Sequence, residues 1–230
     1  MQEAHMAKLI FLRHAHSTAN EKGILAGRSP GISLSERGEE QANALAERFG
    51  DSEIDFIFSS PLERCHQTIE PWLRSSHSRS LTSFEIADGL IEMEYGKWSG
   101  RKLSSLSREP MWRDIQNSPS RVQFPEGEKF RQMQKRALAV VDSALQRSPK
   151  SHHLFVSHGD VIKAIISSKL GMVLDNFQRL VIDPASITIL EGDSSGFRMT
   201  VFNDSTSNVS AYLTRKKAPK NLLGGGAGRK

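Results

Sequence analysis

Three short apolar segments constrain the fold of this chain most, because each ends abruptly at a cluster of polar residues. The segments cover residues 8–12, 54–58 and 154–157. Each is too short for a typical helix and has the apolar content of a buried strand. The clusters at their ends are Leu12-Arg13-His14, Ser59-Ser60-Pro61 and Ser157-His158-Gly159. We therefore predict buried strands whose ends carry arginine, histidine and serine side chains.

Segments with helical periodicity alternate with these strands. Residues 128–146 show the clearest pattern, with apolar residues near helical spacing along one face. Ser35 is predicted to cap a second helix, and Pro61 to occupy the first position of a third that runs to about Leu73. A fourth helix is predicted over residues 161–170, closed by the glycine that follows.

The alternation of strands and helices predicts an α/β fold. Residues 186–190 and 197–202 resemble two further strands around a glycine-bounded turn, which could close the sheet as an antiparallel pair. Residues 75–83 are serine-rich and loop-like, residues 90–100 lack a clear period, and residues 101–125 are polar enough to form a cap or excursion. We expect a three-layer α/β/α sandwich with a mostly parallel central sheet.

A chain of 230 residues fits one domain. We place that domain at residues 8–205, with the excursion at about 101–125 inside it. Residues 1–7 are predicted to be a flexible N-terminus, and residues 206–230 a flexible, basic, glycine-rich tail.

The net charge of +5 comes from the tail rather than from the folded part. Residues 215–230 hold six basic residues and no acidic one, which leaves 25 basic and 26 acidic residues elsewhere. Nucleic-acid binding as the main function is therefore not expected. No apolar run reaches the ~20 residues of a membrane span, and the start of the chain lacks the features of a signal peptide. The one cysteine, Cys65, cannot form an internal disulfide, which fits a cytoplasmic protein. We expect a monomer or a homodimer.

The strand ends predict an anion site. Ligands of open α/β sheets bind at the carboxyl ends of the strands. If the three strands are neighbours, Arg13, Arg64, His14 and His158 converge there. Two helix N-termini add backbone N–H donors and partial positive charge. Because arginine binds phosphate in a bidentate manner, a phosphate group is the natural ligand.

The residue types also limit the chemistry. The P-loop pattern is absent, and Cys65 is followed six positions later by Pro71 rather than by the arginine of a cysteine-phosphatase loop. A strand-end histidine beside arginines can instead attack phosphorus and form a phosphohistidine. A carboxylic acid must then protonate the leaving oxygen.

These residues belong to ordered blocks that resemble the histidine phosphatase superfamily, in its phosphoglycerate mutase-like branch. The resemblance runs over about residues 8–190. The blocks are Leu12-Arg13-His14-Ala15 with Asn20, Leu34-Ser35-Glu36-Arg37-Gly38, Ser59-Ser60-Pro61-Leu62-Glu63-Arg64, Leu90-Ile91-Glu92, Phe124-Pro125-Glu126-Gly127-Glu128 and Val156-Ser157-His158-Gly159.

The resemblance implies a phosphoglycerate mutase-like fold and a metal-independent phosphatase without a cofactor. His14 would be the phosphorylated nucleophile, and Glu92 the proton donor that later activates water. The phosphate pocket would be formed by Arg13, Arg64 and His158. Secondary contacts would come from Asn20 and from the backbone at Gly159. The substrate would be a small phosphorylated metabolite.

Several alternatives stay open at this point. Asp160 could be the proton donor instead of Glu92, or it could cap the following helix. The protein could be a phosphoglycerate mutase, although the excursion contains no adjacent pair of arginines of the kind that mutases use. A non-catalytic phosphate-binding adaptor and a metal site at His14 and His16 are weaker alternatives.

Overall fold

A computed structural model describes residues 6–75 and 81–213. The strands are β1 (Ala7–Arg13), β2 (Phe56–Ser59), β3 (Ser83–Ile86), β4 (His152–Ser157), β5 (Ile187–Asp193) and β6 (Gly196–Asp204). The helices are α1 (Thr18–Glu21), α2 (Glu36–Phe49), α3 (Glu63–Arg74), α4 (Leu103–Leu106), α5 (Met111–Asn117), α6 (Phe130–Arg147), α7 (Gly159–Lys169) and α8 (Ser210–Leu213). Short 3-10 turns cover Asp88–Leu90, Gly96–Trp98, Pro119–Arg121 and Leu174–Arg179.

The six strands form one sheet in the order β3-β2-β4-β1-β5-β6. The first four strands in that order are parallel, while β5 and β6 run antiparallel to their neighbours. The register pairs Arg13 with Ser157, and Ser59 with Val156. The carboxyl ends of β1, β2 and β4 therefore lie side by side, which brings the three predicted polar clusters together.

Helices cover both faces of the sheet. Alternate residues of β1 point to opposite faces: Leu9 and Phe11 pack in the core beneath α6 and α7, and Ile10 and Leu12 pack beneath α2 and α3. This arrangement confirms the predicted three-layer α/β/α sandwich with a mostly parallel sheet. In the described part of the chain, no helix combines the length and the apolar character that crossing a bilayer requires.

Three boundaries differ from the sequence predictions. Ser83–Ile86, at the end of the predicted loop, forms the edge strand β3. Pro61 does not open α3, which begins at Glu63 after Leu62. The hydroxyl of Ser60 accepts the N–H of Leu62 at 3.3 Å and holds an extra turn between strand and helix.

The C-terminal boundary predicted at residue 205 is also wrong. Val209 is fully buried against α2, and Leu213 packs in the same core cluster. The ammonium of Lys8 donates to the carbonyls of Tyr212 and Leu213 at 2.8 and 2.7 Å. The packed part of the chain thus extends at least to Leu213. Most of the predicted flexible N-terminus and the predicted tail from residue 214 lie outside the described residues.

Candidate active site

A cavity of about 430 Å³ opens at the carboxyl ends of β1, β2 and β4. Six of the seven predicted site residues line it: Arg13, His14, Asn20, Arg64, Glu92 and Gly159. The seventh, His158, lies directly behind this wall and is fully buried. One site therefore gathers residues that lie up to about two thirds of the chain apart, as the strand ends predict.

His14 is held as a neutral ring with a defined proton position. Its Nδ1 lies 2.7 Å from the carbonyl oxygen of Ala15, so Nδ1 carries the proton and donates it. Burial, and after it the charges of Arg64 and Arg13, lower the pKa of His14 well below its usual value. Nε2 is consequently left with a free lone pair at neutral pH. Ala15 has no positive φ, so its backbone conformation does not require a glycine.

Each of the two arginines has one hydrogen-bond donor without a partner among the described residues. Arg13 donates through Nη1 to the carbonyl of Ile182 at 2.5 Å, and Arg64 donates through Nη2 to that of Gly27 at 3.0 Å. The Nε of each is buried and has no hydrogen-bond partner among the described residues. Buried donors of this kind normally find a partner. Two charged groups with free donors at one cavity wall suit an anion with several oxygens.

His158 is hydrogen-bonded to Arg64 through one ring nitrogen and to Ser60 through the other. Its Nδ1 accepts from Nη2 of Arg64 at 3.2 Å, because a guanidinium can only donate. Nε2 therefore carries the proton and donates to the hydroxyl of Ser60 at 2.8 Å. The Nδ1 edge also lies 3.8 Å from a carboxylate oxygen of Glu92. Burial, followed by the charge of Arg64, lowers the pKa of His158 well below its usual value.

Glu92 has the properties of a proton donor. Burial, and then the nearby charge of Asp160, raise the pKa of Glu92 to about 7, against the opposing effect of Arg64. One carboxylate oxygen accepts the N–H of Met93 at 2.8 Å. A carboxyl group with a pKa near neutrality can both give and take a proton at physiological pH.

Asp160 has the opposite environment. It accepts a hydrogen bond from the hydroxyl of Tyr95 at 2.8 Å and forms an ion pair with Lys163 at 2.7 Å. Burial opposes its ionisation, but Lys163 and Tyr95 outweigh burial and lower the pKa of Asp160. The residue is the second of α7, whose N-cap is His158, so the helix-cap interpretation of Asp160 is wrong.

The remaining predicted residues have structural surroundings. Asn20 forms a reciprocal capping box with Ser17 at the start of α1, and both line the cavity. His16 points away from the cavity lining, with its Nδ1 2.8 Å from the hydroxyl of Ser35. Among the described residues, no three histidine, cysteine, aspartate or glutamate side chains are grouped as metal ligands.

Three residues that shape the site were not predicted to belong to it: Ser60, Tyr95 and Lys163. Lys163 could have been found, because it follows Asp160 at the i,i+3 spacing that places two side chains side by side on a helix. Tyr95 reaches the site from an irregular segment, so no periodicity pointed to it.

Comparisons with known proteins agree with this geometry. The family model of the histidine phosphatase superfamily (branch 1) matches residues 9–205. Phosphoserine phosphatase 1 of Hydrogenobacter thermophilus is 30% identical over 190 residues, which cover 80% of this chain and 86% of that protein. The Erwinia tasmaniensis protein named "Probable phosphoglycerate mutase GpmB" is 28% identical over 83% of this chain and 87% of its own length.

A solved structure shares the fold. Bacillus stearothermophilus YhfR matches with a TM-score of 0.78 and 25% identity, over 88% of this chain and 99% of that one. The match confirms the predicted phosphoglycerate mutase-like architecture. The chain belongs to the histidine phosphatase superfamily and is an enzyme of that kind, as its motifs predict.

Proposed function

We propose that this protein is a metal-independent phosphomonoester hydrolase that forms a phosphohistidine on His14 and acts on a small phosphorylated metabolite. The observation that carries the proposal is the state of His14: a buried, neutral imidazole whose proton is fixed on Nδ1 by the carbonyl of Ala15. Its Nε2 lone pair is the nucleophile. The single, fully buried cysteine suits a reducing compartment such as the cytoplasm.

In the first half-reaction, Nε2 of His14 attacks phosphorus in line and the bond to the leaving oxygen breaks. Arg13 and Arg64, which line the cavity, hold the non-bridging oxygens. The N-terminus of α7 at Gly159 adds backbone donors and positive potential. These groups stabilise charge on the phosphoryl group as the transition state forms.

Glu92 gives its proton to the leaving oxygen, which departs as an alcohol. Its pKa of about 7 favours this role over Asp160, whose pKa is lowered by Lys163 and Tyr95 and which is ionised at neutral pH. In the second half-reaction, the Glu92 carboxylate takes a proton from water, and the hydroxide attacks phosphorus. The N–P bond breaks, its electrons return to Nε2 of His14, and inorganic phosphate leaves.

His158 supports the phosphoryl group in the same pocket. Burial, followed by the charge of Arg64, disfavours its protonation, and a bound phosphate dianion would offset these effects. Nδ1 would then carry a proton, give up the hydrogen bond that it accepts from Arg64 and donate to a phosphate oxygen, while Nε2 stays on Ser60. His158 is thus the group whose charge follows that of the ligand.

The rest of the cavity favours a substrate with one phosphate group over a bisphosphate. Among the described residues that line it, the cations are Arg13, Arg64 and Lys163, and Lys163 is already bound to Asp160 and Gln178. Much of the remaining wall is apolar: Ile24, Leu25, Leu103, Leu180, Val181 and Ile182. No basic residue of the excursion lines the cavity in the described part of the chain. The relatives' names make phosphoserine and phosphoglycerate the first compounds to test.

The test is phosphate release across a panel of phosphorylated metabolites, with and without EDTA. We expect turnover that EDTA does not change and that His14→Ala abolishes. His66→Ala, which removes an exposed histidine on α3, is the matched control and should keep full activity. Activity that EDTA removes would contradict the metal-independent mechanism.

The mutase alternative is separated by product analysis. A hydrolase releases inorganic phosphate from 3-phosphoglycerate or ignores the compound. Rapid interconversion of 3- and 2-phosphoglycerate with little phosphate release would establish a mutase instead.

A further inference from the structure

Glu92 lies in a stretch of backbone that has no sheet partner. We call residues 88–98 the acid segment. It begins and ends with a 3-10 turn and contains no strand or α-helix. A backbone of this kind must satisfy its carbonyl groups elsewhere, and its position depends on whatever bonds it. The position of the Glu92 side chain therefore depends on the groups that hold this backbone in place.

Arg136 of α6 bonds three carbonyls of the acid segment. Its Nη1 donates to the carbonyls of Gly89 and Ile91 at 2.8 and 2.6 Å, and its Nη2 donates to that of Glu92 at 3.1 Å. Gly89 packs so closely that an added Cβ would lie 2.7 Å from the carbonyl oxygen of Arg136. The guanidinium thus holds the backbone at the proposed acid and at the residues just before it.

Glu128 fixes the orientation of that guanidinium. Its two carboxylate oxygens accept from Nη2 and Nε of Arg136 at 2.6 and 3.1 Å, in the bidentate arrangement that gives arginine pairs their direction. One of these oxygens also accepts the backbone N–H of Glu94 at 3.1 Å. The carboxylate is only 15% exposed, so water competes weakly for it.

Arg28 reaches the same point from the loop after α1. Its Nε donates to the carbonyl of Glu92 at 2.9 Å, and its Nη2 bonds Glu128 at 3.1 Å. The carbonyl of Glu92 therefore accepts from two guanidinium groups that share one carboxylate. Two segments that are distant in sequence therefore converge on the backbone carbonyl of a single residue.

We propose that Arg136, with Glu128 and Arg28, is a positioning residue that sets the proton-donating geometry of Glu92. The inference rests on the proposed role of Glu92 as the general acid. None of the three side chains lines the cavity, among the described residues. They act through the backbone of the acid segment, and their loss should impair proton donation more than phosphoryl binding.

The test compares two substrates of similar size, para-nitrophenyl phosphate and benzyl phosphate. Nitrophenolate leaves as a stable anion and needs little protonation, whereas benzyl alcohol must receive a proton as it leaves. kcat/KM is measured for both, because it covers the steps up to leaving-group departure and omits hydrolysis of the phosphoenzyme. The ratio of the two values is independent of the fraction of enzyme that is folded.

In Arg136→Met, we expect the ratio of kcat/KM for nitrophenyl over benzyl phosphate to rise about 10- to 100-fold, since misplacement of a catalytic group by about 1 Å costs up to that factor. Arg28→Met should raise it in the same direction. Arg147→Met is the matched control: it removes an exposed ion pair with Glu85 at the other end of α6 and should leave the ratio unchanged.

Glu92→Gln separates failure of this inference from failure of the proposed function. If Glu92→Gln raises the ratio strongly but Arg136→Met and Arg28→Met leave it at the wild-type value, the positioning role is wrong and the acid assignment stands. If Glu92→Gln itself leaves the ratio unchanged, the acid assignment fails, and the inference fails with it.

Discussion

His14 and Glu92 face the same cavity, but the fold holds them in different ways. His14 follows a central strand whose ladder with β4 continues to its last residue, and its own N–H donates to the carbonyl of Ser157 at 2.9 Å. Glu92 lies in an irregular segment that is held by guanidinium groups of Arg28 and Arg136. The proposed nucleophile thus depends on the parallel sheet, and the proposed acid depends on side chains from outside it.

The two regions also differ electrostatically. Burial, and after it the charges of Arg64 and Arg13, lower the pKa of His14 and keep the proposed nucleophile neutral, while burial and Asp160 raise the pKa of Glu92 and keep a proton available. One site can therefore hold a free base and a free acid at the same pH. Variants on the two sides should consequently differ in their dependence on the leaving group.

Among the variants that keep His14, the largest effect is expected on the acid side. Glu92→Gln should lower kcat/KM for benzyl phosphate by about 10²- to 10⁴-fold, the usual contribution of a general acid. In the wild type, kcat/KM should fall as the pH rises above about 7, because Glu92 must be protonated to act and its pKa is about 7. The variant should lose this descending limb, which steady-state pH profiles measure.

The control for that experiment is Glu126→Gln, which removes an exposed carboxylate outside the cavity. It should retain both the rate and the descending limb. A limb near pH 7 that survives in Glu92→Gln would assign the titration to another group.

On the phosphate side, Arg64→Met should lower kcat/KM by about 10²- to 10³-fold, as expected for the loss of a preorganised charged donor. Because Arg64 is proposed to bind the phosphoryl group rather than the leaving group, the loss should be similar for nitrophenyl and benzyl phosphate. Arg74→Met, at the exposed end of the same helix, should have no effect. A loss confined to benzyl phosphate would show that Arg64 acts on the leaving group, as Glu92 is proposed to do, and would contradict the distinction between the two sides.

A smaller effect is expected at Ser60, which accepts the proton of His158 at 2.8 Å. Ser60→Ala leaves that buried N–H without its partner and should destabilise the protein by about 1–3 kcal/mol. The rate should fall by no more than about tenfold for either substrate, because the arginines stay in place. Denaturant unfolding and the two-substrate assay measure both quantities; a leaving-group-dependent loss would link Ser60 to the acid side instead.

The smallest effect on activity is expected at Asp204, which does not line the cavity. Its carboxylate accepts from the N–H groups of Thr206 and Ser207 and from the hydroxyl of Tyr212. Burial opposes ionisation, but these bonds lower the pKa of Asp204 to about 2. A depressed pKa contributes stability above about pH 4 that is lost as the pH falls towards 2.

Asp204→Asn should therefore lower Tm at pH 7 while kcat/KM stays at the wild-type value. The difference in Tm between the two proteins should shrink as the pH falls from 4 to 2. A difference that is constant over this range would show that charge on Asp204 does not contribute.

The strand-end half of the site could be predicted from sequence because each part of it has a local signal. Short apolar runs predicted β1 and β4, and the polar residues after them marked where ligands bind. β3 had no such signal: its four residues, Ser83–Ile86, form a half-buried edge strand without an apolar run. The domain was predicted to end too early for a similar reason: Val209 is buried, but the helix that follows it, α8, is only one turn long.

The acid half could be located by motif but its support could not. Glu92 was found through resemblance to a family, whereas its environment depends on Arg136, which lies more than forty positions away in sequence and bonds backbone carbonyls. A backbone carbonyl is present at every residue, so its partner leaves no trace in the sequence. The choice between Glu92 and Asp160 likewise required the contacts of Lys163 and Tyr95, which set the two pKa values apart.

The most direct measurement is to trap the phosphoenzyme. Wild-type enzyme mixed with excess substrate is quenched in alkaline denaturant, which preserves phosphohistidine, and digested with trypsin. Cleavage after Arg13 and Lys22 gives the peptide HAHSTANEK, which holds both His14 and His16. We predict an acid-labile phosphoryl group that fragmentation places on His14 and that is absent from His14→Ala. A phosphoryl group on His16 would contradict the account. So would a His14→Ala variant that keeps its activity and carries a phosphoryl group on another residue.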